Sequence, residues 1–370
     1  MSGLIVHEWV EKAGGSEKVV DQFAAEFPDA DIFVLWSNDP GRFGSRVAES
    51  WIARTPLRKS KALALPFELP VWRRVPARRE YDWLLSSSHL FAHHARISGQ
   101  AGVRKLVYAH TPARYIWEPE LDERGTSRLA RASSRVLKPI DRRLAQEASS
   151  IATNSEFTRA RTQRTWHRDS VVIYPPVDVE RITTMGSWAH SLNDPERELL
   201  ESIEPGFLLG ASRFVSYKRL DLVIAAGEAT GRPVVIAGGG PLKNELQQRA
   251  KDSTVSVAVI DTPRDELLFA LYQRAFAFVF PAIEDFGIMP VEAMAAGTPV
   301  IVGPIGGAQE SVCVAQGGVV VPDFSDASWR SAVEEVARID RGSLPARTQV
   351  FSNGSFRTRI RQWVNSDEVD

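Results

Sequence analysis

Strand-length apolar runs, each followed by a helix-length stretch, recur along this chain in two sets. The first set lies at residues 4–7, 32–35, 83–86, 106–109, 150–153 and 171–174. The second lies at 207–210, 234–237, 255–260, 276–280, 300–302 and 318–321. A short run that is apolar throughout suits a strand buried on both faces, and alternation with helices builds a parallel sheet covered on each side. Two such sets predict two Rossmann-like α/β domains. The polar stretch 181–204, closed by Pro205-Gly206, is expected to be the linker and the entry to the second domain. The expected division is 1–180, 181–345 and a tail, 346–370, in which 351–364 reads as an amphipathic helix.

Composition narrows the classes. With 370 residues, 44% apolar and 25% charged, the chain is long enough for two globular domains and too apolar for disorder. No apolar run nears the roughly 18 residues needed to cross a bilayer, and Leu4-Ile-Val6 is too short for a signal-peptide core. Cys313 is the single cysteine, which excludes an intrachain disulfide and agrees with a reducing cytoplasm. Within Ser311-Val-Cys-Val314 it is expected to be a small buried hydrophobe.

The net charge of −1 conceals an imbalance, since residues 1–178 hold 27 Lys and Arg against 21 Asp and Glu. One cluster is Arg54, Arg58, Lys59, Lys61, Arg73, Arg74, Arg78 and Arg79, opposed within it by Glu68. A second is Arg124, Arg128, Arg131, Arg135, Lys138, Arg142 and Arg143, opposed by Asp141. Nucleic acid is a poor partner for a slightly acidic protein without a recognised binding motif. An anionic membrane surface or a phosphate-bearing acceptor fits better.

The chemistry concentrates after the run at 276–280, in Glu284-Asp-Phe-Gly-Ile-Met-Pro-Val-Glu292. Pro290 suits the first turn of a helix, which Gly297 and Pro299 then stop. Glu284 is expected in a loop at the carboxyl end of a strand and Glu292 in the first turn of the next helix. Gly287 between them lets backbone amides approach a ligand. That end of an open α/β sheet is where ligands bind, and two acceptor-only carboxylates there suit a ligand rich in hydroxyls.

The segment from Glu284 through Ala293-Met-Ala-Ala-Gly-Thr-Pro-Val-Ile301 resembles the donor-binding motif of retaining glycosyltransferases of family four. These have the GT-B fold, two facing Rossmann-like domains with an interdomain cleft and a C-terminal helix crossing back. The resemblance covers nearly the whole chain. It implies that Glu284 holds hydroxyls of the transferred sugar and Glu292 the nucleotide ribose, with Asp285, Phe286, Gly287 and Ile288 lining the donor site. Arg213 and Lys218, in Gly210-Ala-Ser-Arg-Phe-Val-Ser-Tyr-Lys-Arg-Leu220, resemble the family's cation pair on the donor pyrophosphate. Cations there stabilise the charge of the departing diphosphate, which is itself available to take the acceptor's proton. Gly239, in Gly238-Gly-Gly-Pro241, resembles the turn beneath the nucleotide, and Thr262 lies by resemblance against the base. Gly15 and Ser16 open a helix whose amides can surround an anion, with Ser16 the expected N-cap.

Tyr108-Ala-His-Thr-Pro-Ala-Arg-Tyr-Ile-Trp-Glu118 resembles the corresponding segment of bacterial mannosyltransferases of surface-polysaccharide assembly. It implies that His110 sits near the reacting sugar and that Arg114 and Tyr115 shape the cleft, with His89 and Asn154 on the acceptor side. His89 and His93 have helical spacing but no third ligand, and Asp29-Ala-Asp31 precedes its strand, so no metal is expected. The implied activity is a retaining, metal-independent hexosyltransferase using a nucleotide sugar, GDP-mannose foremost. Its acceptor would be lipid-linked or a glycoside, met at the cytoplasmic face of a membrane. The competing readings are a nucleotide-sugar epimerase of GT-B-like fold, which needs acid/base residues and no acceptor groove, and a non-catalytic sugar-nucleotide sensor.

Overall fold

The computed structural model describes residues 2–12, 14–119 and 128–366. Arg124 lies outside them, as do the side chains of Arg128 and Arg131. The chain divides into two compact units, Met1–Pro176 with Phe356–Asp370, and Val177–Ser355.

Among the described residues the first unit holds a seven-stranded parallel sheet. Its strands are β1 (Gly3–Val10), β2 (Asp31–Ser37), β3 (Val47–Glu49), β4 (Trp83–Ser88), β5 (Arg104–Ala109), β6 (Ser150–Thr153) and β7 (Val171–Val172), in the order β3-β2-β1-β4-β5-β6-β7. The helices between them are α1 (Gly15–Glu26), α2 (Lys61–Trp72), α3 (Arg114–Trp117), α4 (Arg128–Ala145) and α5 (Glu156–Trp166). Strand residues alternate between two cores, as the pleat requires. Leu4, Val6, Phe33 and Leu35 meet Val71 and Trp72 of α2, while Ile5, Ile32 and Val34 meet Val19, Val20 and Phe23 of α1.

The second unit opens with α6 (Val179–Thr184) and α7 (Asp194–Ser202). Its strands are β8 (Leu208–Ala211), β9 (Val234–Gly238), β10 (Val257–Asp261), β11 (Ala277–Phe280), β12 (Val300–Val302) and β13 (Gly318–Val320). They pair in parallel in the order β10-β9-β8-β11-β12-β13. The remaining helices of this unit are α8 (Asp221–Thr230), α9 (Lys243–Asp252), α10 (Asp265–Arg274), α11 (Ile288–Ala295), α12 (Ala308–Ala315), α13 (Asp326–Val336) and α14 (Leu344–Arg347), and the last helix, α15 (Asn353–Asn365), belongs to the first unit from Phe356 onward. α15 buries Phe356, Ile360, Trp363 and Val364 in the first unit's core with Phe23. Burial of each such side chain contributes about 1.5–3 kcal/mol. Among the described residues no helix is long and apolar enough to cross a membrane.

Several expectations change. The crossings between units fall at 176/177 and 355/356 instead of 180/181 and 345/346, because the Val177 amide bonds the Phe351 carbonyl at 2.9 Å within the second unit. The stretch 181–204 is the entry to the second unit and is folded into it: Trp188 is buried against Phe269, and a capping box between Asn193 and Glu196 starts α7. β3 was not expected, since three residues at a sheet edge show no period. Gly14, not Ser16, caps α1, because the Ser16 hydroxyl is turned to Glu17 at 2.9 Å. α11 starts at Ile288, so Glu292 lies beyond its first turn. Cys313 is exposed, because α12 buries Ala308, Ser311, Val312 and Ala315 and points the thiol the other way.

Candidate active site

The second sheet reverses its winding between β8 and β11, and the loops after these strands diverge there. The loop after β8 is locked against the turn after β9. The Phe214 amide bonds the Gly239 carbonyl at 2.8 Å, and a Cβ on Gly238 would stand 1.8 Å from the Ser212 oxygen. That clash, with φ of 144°, requires glycine. A short turn, Ser216–Lys218, then carries Lys218, 9% exposed, with its ammonium on Glu284 Oε1. Arg213 is exposed, its guanidinium 2.5 Å from the Tyr217 hydroxyl.

The loop after β11 carries Glu284, Asp285, Phe286 and Gly287. Phe286 is buried against Phe351, and Gly287, with φ of 85°, turns the chain into α11. Two glycines that the sequence reading passed over hold this loop. The Gly307 amide bonds the Glu284 carbonyl at 2.7 Å, and Cβ atoms on Gly306 and Gly307 would meet Glu284 and Asp285 backbone at 3.2 and 1.9 Å. Their signal was Gly303-Pro-Ile-Gly-Gly307 directly after a strand. Glu292 is half-buried and, after burial itself, helps push the Tyr272 phenol well above its ordinary pKa. Thr262, in the left-handed region at φ 48°, bonds its amide to the Gly238 carbonyl at 2.7 Å and abuts Gly239. Arg213, Lys218, Gly239, Thr262, Asp285, Phe286, Gly287, Ile288 and Glu292 thus lie in the loops after β8 to β11 and in α11.

In the first unit the winding reverses between β1 and β4. His110 follows β5, its Nε2 2.8 Å from Ser87 Oγ, and the Asn154 amide donates to the His110 carbonyl at 3.0 Å. His89 follows β4, its ring 6.3 Å from that of His110. Arg114 and Tyr115 sit on α3, Tyr115 packing 6.3 Å from Phe91. Gly15 and Ser16 open α1, and the Glu17 carboxylate lies over that entrance, accepting the Glu11 amide at 3.1 Å.

His89 and His93 do not share a helix, and each joins its own buried group. His93 and His94 both place Nε2 3.0 Å from Asp141 Oδ1, while the indoles of Trp117 and Trp166 donate to Oδ2 at 2.7 Å. Burial would raise the Asp141 pKa, but His93 and His94 outweigh it and hold it well below the carboxylate range. His7, Glu8 and His89 form the other group. His7 Nδ1 faces the Ser87 carbonyl at 3.1 Å, which puts the proton on that nitrogen and the lone pair on Nε2. Asp31, the end of Asp29-Ala-Asp31, opens β2 and takes the Tyr81 hydroxyl at 2.8 Å.

The buried histidines predict a pH dependence. Burial, then His93, depresses His94 to about 4, against roughly 6.5 unfolded. Between these values the unfolded chain binds more protons, so stability rises with pH across that window. His7, also lowered by burial, acts in the same direction. Urea unfolding is expected to show a gain of up to about 1.4 kcal/mol per pH unit there, flattened in His94→Gln. An unchanged slope in that variant would assign the dependence elsewhere.

The family model for glycosyltransferase family 4 matches residues 13–181, and that for glycosyl transferases group 1 matches 196–349. The chain belongs to glycosyltransferase family 4. This family-4 chain is 25% identical to the GDP-mannose-dependent alpha-(1-6)-phosphatidylinositol monomannoside mannosyltransferase of Mycolicibacterium smegmatis, over 96% of this chain and 95% of that one. It is 28% identical to the alpha-1,3/1,6-mannosyltransferase alg-2 of Neurospora crassa over 51% of its own length. The chain spans about half the length of that relative, 48%. Anabaena Alr3699/HepE in complex with UDP shares the fold at a TM-score of 0.71 and 17% identity, over 98% of this chain and 99% of that one. The family-4 chain has the GT-B fold.

Proposed function

We propose that the protein is a retaining hexosyltransferase that moves mannose from GDP-mannose onto a lipid-linked or glycoside acceptor in cell-surface polysaccharide or glycolipid synthesis. The observation that carries this is the Lys218–Glu284 pair at the second sheet's switch point, with Arg213 on the same loop. A cation and a carboxylate brought together there suit a ligand with a phosphate at one end and hydroxyls at the other. Arg213 and Lys218 hold the diphosphate as charge develops on it, and Glu284 orients sugar hydroxyls. With the leaving group's charge met by side chains, the reaction needs no metal.

The test is transfer from GDP-mannose to octyl α-mannoside in EDTA, with UDP-glucose in parallel. Acceptor-dependent product with the α-configuration kept is expected. A new sugar nucleotide formed from donor alone would make the protein an epimerase, and activity lost in EDTA and restored by a divalent ion would end the metal-free reading.

A lipid-linked acceptor places the enzyme on the cytoplasmic face of a membrane. Pairing within the fold favours a different set of cations for that contact. Arg73 is paired with Glu147 at 2.6 Å, Arg78 is spent on the Ser45 and Val47 carbonyls, and Arg79 meets Asp31 at 3.0 Å. Arg54, Lys59 and Arg74 are exposed, as are Trp51, Leu63 and Phe67. Charge reversal of Arg54, Lys59 and Arg74 is expected to weaken sedimentation with anionic vesicles by about 1 kcal/mol per residue. Equal loss on reversing Arg73, Arg78 and Arg79 would contradict this placement.

A further inference from the structure

His93, His94 and Asp141 are buried together in the first unit, the two histidines in the short turn after β4 and Asp141 on α4. Each can offer one ligand atom such that all three atoms stand within 4.8 Å of one another. The proposed sugar transfer uses none of them. A count of their protons leaves the group short of one positive charge.

The Ser88 hydroxyl has a single proton to give. Glu8 Oε1, 3.3 Å away, already accepts the amides of His89, Leu90 and Ala92 at 3.2, 2.9 and 2.9 Å, so it accepts that proton as well. Ser88 Oγ therefore meets His93 Nδ1, at 3.0 Å, as an acceptor, and Nδ1 carries the hydrogen. In a neutral ring this leaves the lone pair on Nε2, which stands 3.0 Å from Asp141 Oδ1. Asp141 takes the indole N–H groups of Trp117 and Trp166 on Oδ2, both at 2.7 Å, and as a carboxylate it can only accept. Two lone pairs that face each other in a buried place repel unless a cation lies between them. A second proton on His93 serves poorly, since Nε2 is not aligned to donate to Oδ1 and has no hydrogen-bond partner among the described residues. A metal ion sits off the line that joins two of its ligands and needs no such alignment.

We propose that His93 Nε2, His94 Nε2 and Asp141 Oδ1 hold a zinc ion that ties the turn after β4 to α4. Two imidazoles and a carboxylate are donors that zinc takes. Ligands of a tetrahedral zinc ion lie about 3.3–3.5 Å apart, against the 3.0 Å that separates Oδ1 from each imidazole nitrogen. A parting of under about 0.5 Å therefore admits the ion. The surrounding contacts are of the kind that orient metal ligands. His93 gives its other ring hydrogen to Ser88, and the second oxygen of Asp141 is held by two indoles. Three protein ligands leave the fourth position to water. The ion is structural and takes no part in sugar transfer, so the proposal does not rest on that reading. Being buried, it exchanges only when the unit opens, and chelator present during a transfer assay leaves it in place.

The test starts from the whole protein, unfolded in guanidinium with EDTA, desalted and refolded with and without zinc. Elemental mass spectrometry is expected to find one zinc per chain after refolding with it. Free zinc about 100-fold above its Kd should raise the thermal midpoint by about 5–10 °C. His93→Gln and His94→Gln should abolish that rise. Ser88→Ala keeps all three ligands, and by freeing the His93 tautomer it should weaken zinc about 10- to 100-fold, read by competition with a coloured chelator. It decides the matter should either histidine variant fail to fold. A parent that takes up no zinc and shows no rise overturns the proposal. So does a rise that survives in both histidine variants, or an affinity unchanged in Ser88→Ala. Imidazole ¹⁵N shifts of the zinc-loaded protein should show a hydrogen on His93 Nδ1 alone. A His93 protonated on both nitrogens would put a proton where the ion is placed and overturn the proposal too. Zinc content and stability are read without substrate, so a failure of the glycosyltransferase reading leaves this test standing.

Discussion

Replacing Lys218 by methionine is expected to lower the rate of sugar transfer about 100-fold, the loss seen when a preorganised partner of transition-state charge is removed. Methionine keeps an unbranched stem at this buried position, within 6.0 Å of the Phe280 ring, and removes only the charge. Glu284→Gln removes the other half of the ion pair. It should lower kcat by weakening charged hydrogen bonds to the sugar, each worth about 1.5–3 kcal/mol, while nucleotide binding changes little. Because one contact joins the two residues, their losses should not add, and the double variant should be close to the worse single one. Single-turnover rates at saturating donor measure this. Strictly additive losses would show that the residues act separately. Glu292→Ala is the contrasting variant, expected to weaken nucleoside diphosphate binding itself.

The largest expected stability effect is at Asp141. Its carboxylate, fully buried in the first unit, meets two histidines and accepts from two indoles, and of these four partners Trp117 alone is half-buried. Asp141→Ala leaves those donors without their acceptor, and breaking a buried charged network costs about 3–5 kcal/mol. Urea unfolding should show a lower midpoint with an unchanged slope. A midpoint within error of the parent would mean that the network relaxes around the loss.

Much of the fold was legible because buried parallel strands announce themselves. The runs at 150–153 and 300–302 became strands with those bounds, since each is short, apolar and bordered by turn residues. β3 was invisible because Val47-Ala-Glu49 is too brief to show a period, and only its neighbour β2 makes it a strand. The Ser16 cap failed for a local reason, competition from the adjacent Glu17. The candidate donor loop was found by motif, but its support by Gly306 and Gly307 depends on backbone approach from another strand, which no local pattern encodes. Glu8 was detectable in principle, as a carboxylate inside an apolar strand. Its partner His89 is 81 positions away and is brought near by the β1–β4 pairing.

The lone thiol has a practical consequence. Cys313 projects to solvent from α12, whose first residue, Ala308, follows the glycine pair that grips the Glu284 loop. A maleimide dye would therefore attach at one defined place without any prior cysteine removal. Its emission would watch, in real time and without radioactivity, whether that loop moves when a sugar nucleotide arrives.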